Sequence, residues 1–221
     1  LLPERFSEEA FRDKFGVVVQ SEITRINRLV HSLLDFARPR RCQRGPVDLH
    51  DLIDRALTLL DNETRKKHID IRRSFDPNVP LVDGDAEQLY QVLFNLIRNA
   101  IQSMGKTDGT ISLSTRLRPA AAGEEAPTVI VQVADTGSGI DKKDLPSIFD
   151  PFYSTKDEGS GLGLSICHSI LEEHGARVDV ESEIGQGTTF TIALPLPTSP
   201  RPTTAPIGSH DAGSLDCFGS Q

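Results

Sequence analysis

The sequence predicts an α+β fold, an α/β sandwich, preceded by one long helix. Some segments alternate apolar and polar residues, which is the pattern of half-buried strands. Others repeat their apolar residues every three to four positions, which is the pattern of amphipathic helices. In addition, two glycine clusters lie between an apolar strand and a helix in the second half of the chain.

The first element expected is the long N-terminal helix. Ser7 is a suitable N-cap, with Glu8 and Glu9 in the first turn, and Pro39 ends the helix. The apolar stripe between these ends is continuous and needs a partner along its whole length. A helical bundle, built across a dimer, is the expected arrangement.

The remaining elements follow a short basic hinge at residues 40–46. We expect a short strand at 47–49, a helix at 51–67, a strand at 69–75, a turn at 83–84, a helix at 86–104 capped by Asp85, strands at 111–117 and 128–134, a helix at 162–174 ended by Gly175, and a hairpin of strands 177–182 and 188–194. Residues 47–195 then form one domain. Residues 196–221, rich in Pro, Ser, Thr and Gly, are expected to be a disordered tail or linker.

Composition limits the possible functions. The 221 residues carry a net charge of −8, which makes general nucleic-acid binding unfavourable but leaves room for a nucleotide held by local groups. Three scattered cysteines indicate neither a disulfide framework nor a zinc site, and they fit a reducing cytoplasm. No apolar run is long enough to span a membrane, and no signal peptide is present. Because the chain begins at Leu1, we expect further segments upstream in the parent protein.

The chemistry is concentrated between Asp135 and Leu164. An apolar strand ends in Asp135, which could accept hydrogen bonds from a planar amine-bearing group such as adenine. The cluster 159–163 opens a helix, and glycines at a helix N-terminus let phosphate approach free N–H groups. This stretch therefore offers a base-recognition group at one end and a phosphate cradle at the other.

Two asparagines precede this stretch on one helix face. Asn95 and Asn99 are four residues apart, and amides on a largely apolar helix need partners. One interpretation is a site for Mg²⁺, which prefers oxygen ligands and usually contacts substrate phosphates as well. The alternative is a pair of structural amides that bond a neighbouring loop.

The ordered pattern of Asn95, Asn99, Asp-x-Gly-x-Gly-Ile at 135–140, a Phe-rich loop and Gly-x-Gly-Leu-Gly-Leu at 159–164 closely resembles the ATP-binding domain of sensor histidine kinases. These belong to the gyrase–chaperone–kinase–mismatch-repair (GHKL) ATPase superfamily. The short loop most resembles the nitrogen-regulation type. The resemblance covers residues 1–194 and implies the Bergerat fold, a mixed sheet with helices on one face and ATP between the helices and a mobile lid at 136–160.

The same resemblance implies roles for individual residues. Asn99 would ligate Mg²⁺ with help from Asn95, and Asp135 would recognise adenine. Phe149 and Phe152 would pack the lid onto the domain, and Lys156 could reach a phosphate. The complete set of ATP-binding residues expected is Asn95, Asn99, Asp135, Gly137, Gly139, Ile140, Phe149, Phe152, Ser154, Thr155, Lys156, Gly159, Gly161, Leu162, Gly163, Leu164, Thr188 and Thr189.

Each assignment has a simpler alternative. Asp135 could form only an Asx-turn before Gly137. The cluster 159–163 could be a flexible linker, and Lys156 could be a solvated loop residue. Gly187, next to Thr188 and Thr189, could serve only a tight hairpin.

The N-terminal helix resembles the second helix of the dimerisation and phosphotransfer hairpin of these kinases. The phosphoacceptor histidine of that family lies on the first helix, in a His-Glu-x-x-x-Pro context. No histidine here has that context, and the neighbours of His31 do not fit it. We therefore expect a homodimer in the parent protein, but no phosphoacceptor in this chain.

Asn95 also bears on the reaction. Many ATPases of the superfamily place a glutamate at this position as a general base for water, and an amide cannot accept that proton. An imidazole, however, is already a nucleophile when neutral. We therefore expect the catalytic portion of a histidine kinase, with ATP and Mg²⁺ as cofactors and a response-regulator receiver domain as the next partner. The alternatives are a GHKL ATPase and a nucleotide-binding or dimerisation module without kinase activity.

Overall fold

The computed structural model describes residues 15–16, 18–20, 22–23, 42–105, 108–120, 126–155 and 161–196. The elements are β1 (Gly45–Val47), α1 (Leu49–Lys66), β2 (Ile69–Phe75), β3 (Val82–Gly84), α2 (Ala86–Ser103), β4 (Gly109–Arg118), β5 (Thr128–Asp135), a 3-10 turn (Leu145–Ser147), α3 (Gly163–Glu173), β6 (Arg177–Glu183) and β7 (Gly187–Pro195).

Five of the strands form a mixed sheet in the order β2-β4-β5-β7-β6. β2 runs parallel to β4, and the other neighbours are antiparallel. β5 lies at the centre and pairs with β4 and β7 along its length, so Asp135 ends the most protected strand. β1 and β3 form a separate antiparallel pair.

One face of the sheet is buried under the helices. In β4, Ile111 and Leu113 are buried, whereas the intervening Ser112 and Ser114 are half-buried. On the opposite face, Ser114 donates to Gln132, which donates to Thr191, so polar side chains bond one another across three strands. The α+β sandwich with helices on one face is therefore confirmed.

Two helix ends have the capping residues that the sequence predicted. Asp85 caps α2, as predicted, by accepting from the backbone N–H groups of Glu87 and Gln88. α3 ends at Glu173, and the predicted Gly175 follows the C-cap residue His174 with a φ of 66°, while Ala176 donates its N–H to the carbonyl of Leu171. This is the Schellman arrangement that places glycine in the left-handed region.

Two short segments differ from the prediction. The strand expected at 47–49 ends at Val47, because Asp48 is extended and caps α1, which begins two residues earlier than expected. The turn expected at 83–84 is instead part of β3, where Asp83 pairs with Pro46. Pairing between segments distant in sequence overrides the local turn preference of Asp-Gly.

Much of the N-terminal prediction lies outside the described residues. Residues 15–16, 18–20 and 22–23 are helical and exposed, but the apolar stripe as a whole, Pro39 and the first two hinge residues, 40 and 41, are not described. The last two hinge residues, Gly45 and Pro46, belong to β1 instead. The tail 197–221 and most of the loop 119–127 are likewise outside this range. Within the described part, no helix combines the length and the apolar character needed to cross a bilayer.

The cap of α2 should make a measurable, pH-dependent contribution to stability. Burial alone would raise the pKa of Asp85, but the backbone N–H groups of Gln43, Gln88 and Glu87 lower it below its ordinary value. We expect Asp85→Ala to lower the free energy of unfolding by about 0.5–2 kcal/mol at neutral pH. Because the folded pKa is depressed, this contribution is present above the ordinary carboxyl pKa and is lost as pH falls through the folded value.

Chemical denaturation at several pH values measures this effect. Asp85→Asn is the matched control, since it keeps an accepting oxygen without a titrating group. A difference between Asp85→Ala and the unmodified chain that does not narrow in acid would refute the assignment.

Candidate functional site

The candidate site is centred on Asp135, the last residue of β5. Its side chain is 8% exposed. Oδ1 accepts from the backbone N–H of Gly137 at 2.8 Å and from the hydroxyl of Ser103 at 2.9 Å. A buried carboxylate is costly without such donors, and these two fix its orientation.

The bond from Gly137 N–H to Asp135 Oδ1 has the geometry of an Asx-turn, which was the simpler alternative for the role of Asp135. The turn does not compete with ligand recognition, because an ionised carboxylate has about four acceptor positions. Gly137 is required by close packing: a Cβ at this residue would lie 2.1 Å from Ser103 Oγ and 2.8 Å from Asp135 Oδ1.

The loop after Asp135 is held from several sides. Ser138 donates its backbone N–H to the carbonyl of Ser103 at 3.1 Å, and its own carbonyl accepts from Gly185 at 2.8 Å. Ile140 donates its N–H to the Ser182 hydroxyl at 2.8 Å. α2 and the β6–β7 hairpin therefore both hold the segment that contains Gly137, Gly139 and Ile140.

The β6–β7 hairpin closes against the same strand end. Gly187 has φ of 111°, and a Cβ there would lie 1.8 Å from the carbonyl oxygen of Asp135. Thr188 is buried and lies opposite Asp135 in the strand register, whereas Thr189 is half-buried opposite Ala134. The tight hairpin and the close approach to Asp135 are thus the same structural feature.

The two asparagines have different surroundings. Asn95 contacts the thiol of Cys167 on α3, and the pKa of that thiol is raised to about 12 because it is buried, with the Asn95 bond acting in the opposite direction. Asn99 is half-buried, and its side chain makes no hydrogen bond within the described part of the chain. Asn95 therefore links α2 to α3, which agrees with the structural alternative, while the Asn99 amide has its bonding capacity left for a ligand.

The beginning of α3 supplies the other side of the site. Gly161, with φ of 67°, accepts from the N–H of Phe152, and a Cβ there would lie 2.4 Å from the Phe152 backbone. Gly163, the first residue of α3, is different: outside its own helix backbone, an added Cβ would meet no atom of the described residues within 4 Å. The fold therefore requires glycine at 161 but not at 163. Leu162 is buried, and Leu164 packs against the core.

The intervening loop only partly follows the prediction. Phe149 packs against the core, with its ring centroid 5.2 Å from that of His168. The prediction that Phe152 packs the lid onto the domain is wrong, because its backbone is left-handed, with φ of 68°, and its side chain is 64% exposed. Ser154 and Thr155 are exposed, and Lys156 and Gly159 lie outside the described residues.

Sequence reasoning missed Ser103, the residue that bonds Asp135 through its side chain and the following loop through its carbonyl. A signal for it existed: Ser103 is one helical turn beyond Asn99, and so continues the polar face that begins at Asn95. It also missed Lys67, whose ammonium donates to the carbonyls of Ile101 at 2.8 Å and Met104 at 2.9 Å, next to Ser103 at the end of α2.

The arrangement fits a magnesium nucleotide. The open space at Gly163 leaves room for a phosphate against the helix N-terminus, and the Asn99 amide offers an oxygen of the kind that Mg²⁺ prefers. The described residues contain no group of three or more acidic, histidine or cysteine side chains that could hold a metal. A metal here would therefore depend on ligand oxygens in addition to the amide.

Comparison with known proteins gives one family. The model of histidine kinase-, DNA gyrase B- and HSP90-like ATPases matches residues 84–198, about half of the chain. The sensor histidine kinase ZraS of Escherichia coli strain K12 is 38% identical over 179 residues, covering 81% of this chain and 37% of ZraS. The sensory histidine kinase/phosphatase NtrB of Rhodobacter capsulatus is 36% identical over 192 residues, covering 81% of this chain and 51% of NtrB. The chain thus spans about two fifths to one half of these relatives.

Solved structures of histidine kinases are also similar to this chain. The nucleotide-free catalytic domain of the histidine kinase ThkA is 30% identical, with a TM-score of 0.59 over 69% of this chain and 95% of that domain. ThkA in complex with the response regulator TrrA is similar over a longer range, with a TM-score of 0.68, 27% identity and coverage of 88% of this chain and 54% of that one.

The hairpin glycines allow a direct test of the close approach to Asp135. Gly185 and Gly187 both have positive φ, but a Cβ at Gly185 would meet nothing within 4 Å. We expect Gly185→Ala to cost only the backbone strain of an alanine at positive φ, about 1–2 kcal/mol. Gly187→Ala should cost clearly more, because its methyl group displaces the hairpin from the end of β5. Urea unfolding measures both, and equal losses would contradict the described packing.

Proposed function

Because the chain belongs to the histidine kinase-, DNA gyrase B- and HSP90-like ATPase family, we propose that the site around Asp135 binds MgATP. In this proposal the chain is the ATP-binding catalytic portion of a sensor histidine kinase, and its similarity to kinases of this class supports that role. The observation that carries the proposal is Gly163, a helix-opening glycine at which a Cβ would contact none of the described residues. Close approach of a phosphate to the backbone N–H groups would explain why glycine stands at this position.

In the proposed complex, each end of the nucleotide meets a different part of the site. The carboxylate of Asp135 accepts from the 6-amino group of adenine, while Gly137, Gly139 and Ile140 form the adjacent loop. The phosphates lie at the N-terminus of α3, against Gly161 and Gly163, where helix N–H groups and the helix dipole favour negative charge. Gly159, Leu162, Leu164, Ser154, Thr155, Lys156, Thr188 and Thr189 complete the proposed set.

Asn99 is the proposed ligand of Mg²⁺, since its side chain has no other partner in the described part of the chain. Held there, the ion would neutralise phosphate charge during phosphoryl transfer. Asn95 has a supporting role, because its contact with Cys167 holds the Asn99-bearing α2 against α3, which carries the phosphate site. A glutamate base is absent from this position, so the chain has no group here to activate water.

The proposed acceptor is a histidine of the dimerisation domain. A neutral imidazole nitrogen attacks the γ-phosphorus, an N–P bond forms as the bond to the β,γ-bridging oxygen breaks, and ADP leaves. The phosphate then passes to an aspartate of a response-regulator receiver domain. The ThkA complex with a response regulator supports this partner class. The homodimer is proposed for the parent protein from the apolar stripe in the N-terminal sequence, which needs a partner along its length. We infer that this portion acts in the cytoplasm.

The histidines of this chain are not proposed as acceptors. His174 is buried, with Nε2 accepting from the N–H of Asp85 at 2.9 Å and Nδ1 2.7 Å from the carbonyl of Ile170. His50 stacks on Phe75 and bonds the hydroxyl of Thr115. These two side chains have structural partners, and none of the six histidines has the His-Glu-x-x-x-Pro context of the family's phosphoacceptor, so we expect no autophosphorylation of the 221-residue chain alone.

Substitution at Gly163 separates ligand binding from folding. We expect Gly163→Ala to keep the free energy of unfolding of the wild type or to raise it slightly, because the methyl group meets no protein atom and alanine favours helix. Its affinity for MgATP should fall roughly tenfold, because the methyl group blocks close approach of phosphate to the backbone.

Calorimetric titration with MgATP and urea unfolding, made on the same samples, measure the two quantities. Ser169→Ala, on the exposed side of α3, is the matched control and should bind as the wild type does. Unchanged affinity in Gly163→Ala would remove the main support for a phosphate cradle at this helix.

A further inference from the structure

We propose that Ser103 is a positioning residue that orients Asp135 and thereby sets the preference of the site for a purine with a 6-amino group. This inference rests on the proposed nucleotide site and extends it by one residue that does not itself touch the base. It follows from the contacts of Ser103, from its single hydroxyl proton and from the way the end of α2 is held.

Ser103 is joined to the base-recognition segment at two points. Its hydroxyl lies 2.9 Å from Asp135 Oδ1, and its backbone carbonyl accepts from the N–H of Ser138 at 3.1 Å. One bond fixes the carboxylate, and the other fixes the loop that follows it. A shift of the end of α2 would therefore move both the Asp135 carboxylate and the loop that follows it.

The hydroxyl proton has two acceptors within reach. Ser103 Oγ is 2.8 Å from the carbonyl oxygen of Ala100, in the last turn of α2, and 2.9 Å from Asp135 Oδ1. A hydroxyl has only one proton to donate, and a bond to an ionised carboxylate is roughly twice as strong as a bond to a neutral acceptor. The proton therefore goes to Asp135 when that group is charged, and Ser103 acts on the carboxylate rather than as a helix cap.

Both described donors converge on the same carboxylate oxygen. Gly137 N–H and Ser103 Oγ–H bond Oδ1 from two directions, which fixes the rotation of the carboxylate plane and thus the direction in which Oδ2 points. Without the Ser103 hydroxyl, Oδ1 would lose one of these two directional restraints. Gly137 also leaves the space that Ser103 occupies, because any Cβ there would lie 2.1 Å from Ser103 Oγ.

The end of α2 is itself restrained, which makes Ser103 a rigid reference point. The ammonium of Lys67 donates to the carbonyls of Ile101 and Met104, on either side of Ser103 in the chain. These bonds satisfy orphan carbonyls at the helix end, and the positive charge there is favourable to the helix dipole. The position of Asp135 is thus tied through Ser103 to α2, the helix that also carries Asn99.

The test compares ATP with its analogue that lacks the 6-amino group, purine riboside triphosphate. The affinity ratio of the two ligands measures the contact of the carboxylate with the amino group. In the 221-residue chain, we expect ATP to bind more tightly, and Ser103→Ala to reduce this preference roughly tenfold while the affinity for the analogue changes little. Calorimetric titration with Mg²⁺ present provides both affinities.

Two further variants complete the design. Ser103→Cys keeps nearly the same side-chain volume but has only a weak S–H donor, so its preference for ATP over the analogue should be intermediate. It also replaces Ser103→Ala in the test if that variant folds poorly. Ser112→Ala, a half-buried serine on the opposite face of the sheet, should leave the preference unchanged.

The outcomes are distinct. A reduced preference for ATP in both Ser103 variants, graded by donor strength, supports the proposal. A parallel loss of affinity for both nucleotides, or an unchanged ratio, would show that Ser103 has only a structural role and would overturn it. If the unmodified chain itself does not prefer ATP over the analogue, the assignment of Asp135 to base recognition fails, which is a failure of the proposed function and not of Ser103.

Discussion

The hydrogen bonds to the buried carboxylate of Asp135 are the interaction on which the rest of the site depends. Two donors, Gly137 N–H and Ser103 Oγ–H, offset the cost of burying this charge at the end of the central strand. They also join three elements, because β5, the following loop and the end of α2 all meet there. Because Gly187 has no Cβ, the β6–β7 hairpin can pack against the backbone carbonyl of Asp135, so the hairpin is a fourth element in contact with this residue.

These contacts connect the two ends of the proposed nucleotide site through packed helices. α2 carries Ser103 at the base-recognition end and Asn99 one turn earlier, so the proposed metal ligand and the carboxylate support share a helix. Asn95 contacts Cys167 and links α2 to α3, whose first residue is Gly163. In the proposed complex, helix packing would therefore set the separation between the base and phosphate ends. Phe152, between the two ends, is exposed.

The sequence predicted the fold class, the long elements and the glycine pattern because these depend on periodicity and on local backbone demands. It could not predict β1 and β3, since a three-residue strand has no periodicity of its own and forms only through a partner distant in the chain. Ser103 was missed for a related reason: a serine in the last turn of a helix is usually explained by local bonding, and its bond to Asp135 exists only in the folded chain. The packing predicted for Phe152 failed because a positive φ at a non-glycine residue has no signal in the sequence.

The central claim is that the site holds ATP for transfer to an imidazole and not for attack by water. The most direct measurement follows the γ-phosphate: the chain is incubated with labelled MgATP, alone and with a separate helical hairpin that carries a phosphoacceptor histidine. We predict bound ATP with neither free phosphate nor labelled protein when the chain is alone, and acid-labile label on the hairpin when it is supplied. Steady release of free phosphate would contradict the account and identify an ATPase, and label on the chain itself would mean that one of its own histidines is the acceptor.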